Sequence, residues 1–316
     1  MPRTSTFATI GTDISTCKTS EEVLNSANLN YDVIKVPMFY SKSYLAPDGT
    51  TSSTYETYPD KMFTMKEGSQ DILGVVSDKY EICQNRDAFN FIDYIGADNE
   101  GFTYVKAGEI GGGRNKGLVY IIAKIPDIKL LDDNITPYII FQNSHDGMNS
   151  VKATISPLRI VCQNQFNLSF RESSNTVRIV HSSQMDSRLL TARTMMRDVA
   201  TYMETFENTA ENLYQKKIND DNVIKIFNEV FKYDPAKMSP RQTSNFDLNR
   251  AEFLSCYRNT DNQNFQGTAW GLINGAADYL THHTGTRRSS ADAMFVNTTF
   301  LSIALNQIFN RVSELV

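Results

Sequence analysis

His145, Asp146 and Cys162 are the residues of this chain whose types could do chemistry together: an imidazole base, a carboxylate to orient it and a thiol nucleophile. Their spacing argues against it. Adjacent side chains on an extended chain point to opposite sides, so His145 and Asp146 cannot form a dyad without a remote partner. A cysteine at the end of the run Leu158 to Cys162 behaves as a small buried hydrophobe. No HExxH, DxD or nucleotide-phosphate loop accompanies them. These residues point to a structural turn: Asp146-Gly147 is turn chemistry, and the amide pairs Gln142-Asn143 and Gln163-Asn164 can rigidify a corner. No catalytic set, cofactor or metal site is expected. An enzyme using His145, Asp146 and Cys162 remains the alternative.

The positioning elements are read from periodicity. Tyr31 to Tyr40, Ile72 to Val76, Tyr80 to Cys83, Phe102 to Ile110, Leu118 to Ile125 and Tyr138 to Phe141 have strand character. Leu158 to Cys162 follows Pro157, which suits the start of a strand. Asn85 caps a helix with Ala88, Phe89, Phe91, Ile92 and Ile95 on one face, ending at Gly96. Ser41 to Tyr58 is rich in Ser, Thr, Tyr and Gly. It reads as a disordered surface loop, with a loose hairpin or exposed arm as the alternative. Gly111 to Gly117 reads as a hairpin turn.

From Met185 to Leu213 the apolar residues Met185, Leu189, Ala192, Met196, Val199, Met203, Phe206, Ala210 and Leu213 form an a/d seam, which predicts one long helix over 183–217. It could pair with the next helix or with another subunit. Further helices are expected near 222–233, 267–281 and 290–314, with Asp234 to Asp247 a proline-containing linker. The fold class is therefore α+β: a curved antiparallel β-meander backed by helices over 1–180, then a largely helical region over 181–316.

At 316 residues, with 41% hydrophobic and 21% charged residues, the composition is that of an ordinary soluble protein. No apolar run nears the roughly 20 residues needed to span a membrane. No secretory signal is read in the first residues, and the four cysteines are scattered. The expectation is reduced thiols in the cytoplasm of a bacterial host.

The net charge of −5 argues against bulk coating of duplex DNA. Its distribution is uneven. Between Val151 and Ala200 seven cations (Lys152, Arg159, Arg171, Arg178, Arg188, Arg193, Arg197) face three acids (Glu172, Asp186, Asp198). These cations, with Lys106, Arg114, Lys116 and Lys124 on the predicted hairpin, could follow a phosphate backbone. Phe102, Tyr104, Tyr120, Tyr138 and Phe166 are the rings that could stack on unpaired bases. Single-stranded DNA is the expected partner, bound by a homo-oligomer that promotes strand annealing. A non-catalytic interaction protein acting on a host or phage factor is the other alternative.

The segment FQNSHDGMNSVKATISPLRIVCQNQF resembles the signature of a phage- and plasmid-encoded family known only as a domain of unknown function, number 932. Asn143 to Gly147, Pro157, Arg159 and Val161 to Asn164 match that family's "NSHDGS…TPVRVVCQNTL" core; Met148 and Gln165-Phe166 depart from it. His145, Asp146, Gly147, Cys162, Gln163 and Asn164 are thus motif positions. Val76-Ser77 to Tyr80, Gln84-Asn85, Gly111 to Gly113 and Gly267 to Gly271 also match. The resemblance names a family without naming a reaction. In element order alone, the chain is similar to the helix-backed meander of single-strand annealing proteins.

Overall fold

A computed structural model describes residues 11–45, 47–98, 100–110, 117–131, 133–147, 151–159, 176–178, 185–259, 263–283 and 291–315. In chain order the elements are β1 (Thr12–Asp13), α1 (Ser20–Ser26), β2 (Val33–Leu45), β3 (Thr51–Lys66), β4 (Ile72–Ser77), α2 (Asn85–Phe89), α3 (Ile92–Asp98), β5 (Thr103–Ile110), β6 (Leu118–Lys124), β7 (Ile128–Leu130), β8 (Asp133–Ser144), β9 (Lys152–Arg159) and β10 (Thr176–Arg178). The helical region follows: α4 (Met185–Tyr214), α5 (Asp220–Val230), α6 (Pro240–Arg258), α7 (Ala269–Asp278), a π turn (Tyr279–His283) and α8 (Ala291–Leu315). This is the expected α+β class.

Among the described residues all strand pairings are antiparallel. A seven-stranded sheet has the order β1-β5-β6-β8-β9-β10 with β7 beside β8, and a three-stranded sheet has the order β2-β3-β4. Leu118 to Ala123 of β6 is buried residue after residue. Val119, Ile121 and Ala123 pack with Ile139, Phe141, Ala153 and Ile155 in the main core. Leu118, Tyr120 and Ile122 join Ile110 and Ile140 in a second cluster. Both faces are covered, which is why this strand reads as an unbroken apolar run.

The main cluster extends without a break in packing from Ile14 to Val312. The α4 seam is spent inside it. Val199, Met203, Phe206, Ala210 and Leu213 are buried as the heptad reading predicts, together with Met195 and Tyr202. Phe206 meets Trp270 of α7 edge-on at 5.7 Å. The helix packs against α3 and α7, while α5 packs on α6 and α8. An oligomer therefore cannot be argued from these seam residues.

Several local expectations are corrected. Ser41 to Tyr58 is not a disordered loop; the hairpin alternative holds, since the stretch is the outer part of the β2–β3 hairpin, in continuous register from Phe39↔Thr57 to Leu45↔Thr51. Asn85 does not cap a helix. Gln84 holds the cap position with no side-chain bond of its own there, Asn85 turns inward, and the helix breaks into α2 and α3 around Asn90-Phe91. Tyr80 to Cys83 is not a strand, because Lys35 Nζ takes the Asp78 and Tyr80 carbonyls and Asn143 takes that of Cys83. Pro157 lies inside β9, opposite Pro137, which confines the donor loss to one step of the ladder. Asp234 to Asp247 is not wholly a linker. Ser239 and Gln242 form a reciprocal capping box and Pro240 occupies the first turn, so α6 begins there. Among the described residues no helix is long and apolar enough to cross a membrane.

Candidate functional site

The described part of the motif, Asn143 to Gly147, lies where the two sheets meet. β8 delivers Asn143, and His145 follows just past its end; both are buried, His145 at 0% exposure. Asn85, at the start of α2, faces them. Its Nδ2 donates to the Leu29 carbonyl at 2.9 Å, which orients the amide. Its Oδ1 then accepts from Asn143 Nδ2 at 3.0 Å and from His145 Nε2 at 3.0 Å. Asn143 also donates to the Cys83 carbonyl at 3.0 Å. This arrangement assigns the imidazole proton to Nε2.

The three-stranded sheet closes over the same turn. Thr64 Oγ1 of β3 donates to the His145 carbonyl at 2.6 Å, and the Tyr80 hydroxyl donates to that of Ser144 at 3.2 Å. Gly74 of β4 lies so near the motif that a Cβ would stand 2.5 Å from Asp146 Cα. Gly147, at φ +73°, reaches Val76 in the same way. Beside the joint, Lys66 pairs with Glu109 at 2.6 Å and sits 4.3 Å over the Tyr31 ring, tying β3 to β5.

Burial holds His145 down to about 4; Lys66 reinforces the shift and Asp146 opposes it. The ring is neutral at pH 7, and Nδ1 has no hydrogen-bond partner among the described residues. A base needs access and a pKa near the working pH, and this histidine has neither. It is a packed member of a polar joint. The unfolded chain binds the His145 proton near pH 6.5 and the folded one only near 4, so this group's stability is intact above the unfolded value and is lost as pH falls through that window. Acidifying from pH 7.5 to 4.5 is expected to remove about 2–3 kcal/mol through His145. Urea unfolding of wild type and His145→Gln at both values should show a smaller pH dependence in the variant.

The predicted cations fall into separate groups. Lys106 is mostly buried and bonds Asp13 at 3.1 Å, which fastens β1 to β5. Lys124 on β6 is half-exposed and lies opposite Tyr138. Lys152, half-exposed on β9, is the register partner of both Gln142 on β8 and Arg178 on β10. Arg159 ends β9 opposite Ile135. On α4, Arg188 lies in the first turns, and Arg193 and Arg197 are exposed, Arg197 lying 3.7 Å from Asp198. Arg114, Lys116, Arg171, Cys162, Gln163, Asn164 and Phe166 lie outside the described residues.

Among the described residues, the predicted rings are engaged in packing. Tyr104 is buried and donates to Asp93 at 3.0 Å, Phe102 packs edge-on against it, Tyr120 is buried, and Tyr138 packs against the second cluster.

Among the described residues one cluster has metal-ligand types: Glu252 and Cys256 on one face of α6, with His283 on the π turn. His283 Nδ1 lies 2.7 Å from Glu252, and its Nε2 lies 3.8 Å from Asp278. The imidazole bridges two carboxylates and closes the end of α7.

Sequence reasoning missed Asn85 as the centre of the joint, along with Thr64 and the Lys66–Glu109 pair. Only the neighbouring amides Gln84-Asn85 hinted at it. The motif, its glycines and the strands around them match the profile of a family described as a domain of unknown function (DUF932), over residues 72–299. The chain belongs to that family. For a DUF932 protein, this geometry makes the histidine of the motif a buried structural group. No curated protein and no solved structure matches the chain, so the likeness in element order to annealing proteins carries no argument.

Proposed function

We propose that this DUF932 protein binds single-stranded DNA along the β9–β10 edge of its seven-stranded sheet and the adjoining first half of α4. The observation that carries the reading is the pairing of Lys152 with Arg178. That register sets two cation positions side by side on neighbouring strands, where one phosphate backbone can track both. β10 ends the order of the sheet, so no described strand lies beyond it. Arg188, Arg193 and Arg197 follow on the next element, in the one basic region of an acidic chain. A narrow basic track in a protein of net charge −5 suits a flexible single strand better than a duplex, whose two backbones need a broader field.

The test is the salt dependence of binding to labelled oligonucleotides. Wild type is expected to bind single strands at micromolar Kd or tighter, to prefer them to duplex, and to weaken with salt. Lys152→Ala/Arg178→Ala should lose at least about tenfold in affinity, with its log-log salt slope reduced by about 1.4, two phosphate contacts fewer. Annealing of complementary strands is the activity to assay next.

A further inference from the structure

The β2–β3 hairpin continues well past the sheet it belongs to. β4 pairs with β3 only between Lys61 and Met65, whereas β2 and β3 stay paired out to Leu45 and Thr51. The outer part is a lone two-stranded ribbon, and its large side chains lie in solvent on both faces. The register puts Phe39, Leu45 and Tyr55 on one face, and Tyr40, Tyr44 and Tyr58 on the other. Tyr55 is 79% exposed, Leu45 73% and Phe39 59%.

Such a ribbon is marginal in water by itself, and apolar patches of more than a few hundred Å² mark interaction surfaces. Divided between the two faces, these six side chains leave on the order of 300–400 Å² exposed on each, the size of patch that marks an interaction surface.

Charge decides what kind of partner fits. From Phe39 to Asp60 the ribbon carries Lys42 against Asp48, Glu56 and Asp60. Glu56 holds Lys42 at 3.6 Å and accepts from Tyr40 at 2.6 Å, so the one cation is compensated. A net negative ribbon repels a phosphate backbone; its partner is protein.

The outer edge of β2 says which protein. β2 ends the order of its sheet, so among the described strands the N–H and C=O groups along that edge have no ladder partner. From Phe39 to Leu45 the edge lacks proline and glycine and carries a single charge, so it has little of the protection that exposed edges usually carry. An identical edge related by a twofold axis is self-complementary. In an antiparallel pairing centred on Ser41, Lys42 of each copy faces Tyr40 of the other, and no like charges oppose. We infer that the β2–β3 arm joins two copies of this chain by β2-to-β2 pairing. The inference stands independently of the DNA reading.

Sedimentation velocity of the full chain tests it. Wild type should be a dimer at roughly 10 µM. Phe39→Ser/Leu45→Ser/Tyr55→Ser, and separately Ser41→Lys, which opposes like charges at the centre of the twofold pairing, should weaken association at least tenfold and leave the melting temperature of the body unchanged. A monomeric wild type, or variants that dimerise as well as wild type, would overturn the inference. So would a monomeric wild type whose arm variants lose single-stranded DNA binding, since the arm would then be a nucleic-acid surface. Lys152→Ala/Arg178→Ala should remain dimeric, which separates failure of the DNA reading from failure of this one.

Discussion

Asn85→Ala is expected to destabilise the protein by about 3–5 kcal/mol. Asn85 serves three buried partners at once: the Leu29 carbonyl, Asn143 Nδ2 and His145 Nε2. Truncation to a methyl group leaves the carbonyl and the imidazole N–H without partners in a site closed to water. Each buried orphan costs roughly 1–3 kcal/mol. Asn143 is partly protected, because it also donates to Cys83. Asn85→Asp keeps an acceptor for His145 but loses the donor to Leu29 and sets a buried carboxylate oxygen against that carbonyl, so it too should be destabilising. Denaturant unfolding monitored by far-UV circular dichroism reads both. A loss under about 1 kcal/mol for Asn85→Ala would mean that the motif is not held by this network.

Gly271→Ala is expected to cost about 3 kcal/mol or more and to remove most soluble protein, at the top of the range for overpacking. A Cβ there would stand 2.0 Å from the Phe265 carbonyl oxygen. That oxygen cannot move away freely, because it accepts from both the amide and the hydroxyl of Thr268, at 3.2 and 2.6 Å. The Thr268 hydroxyl in turn caps α7 at the Gly271 amide. Shifting the cap would drag Trp270 out of its place against Phe206. Gly267→Ala is the contrast: at φ +72° with nothing within 4 Å, it bears only the backbone penalty of about 1–2 kcal/mol. Melting temperatures of the two variants separate steric clash from backbone strain. Equal losses would contradict this packing account.

What could be read in the sequence follows from where local and tertiary forces agree. The α4 seam and the run Leu118 to Ala123 are legible because burial imposes its period on the side chains. The arm is misread because its strands are built from Thr, Tyr and Ser. With both faces wet, no apolar alternation is imposed. Asn85 has the type of a helix cap, but Gln84 exchanges both amide bonds with the Val33 backbone, at 2.9 Å each, and fixes the chain so that Asn85 points inward. Pro240 resembles a breaker until Ser239 and Gln242 are seen as its capping box. The pairing of Lys152 with Arg178 depends on a non-local register, which no window along the chain reports. The histidine of the motif attracts a catalytic reading by type alone; only its burial and its bond to Asn85 assign it to the joint.

The central claim is that the motif builds the body while the β9–β10 edge binds the ligand. Fluorescence anisotropy with one labelled single strand, at pH 7.5 and rising salt, tests it on three proteins side by side. Wild type and His145→Gln should bind alike per folded molecule, although the variant is less stable, and Lys152→Ala/Arg178→Ala should lose at least about tenfold with a shallower salt slope. No binding by wild type at the lowest salt, or loss in His145→Gln with the basic edge variant unaffected, would contradict the account.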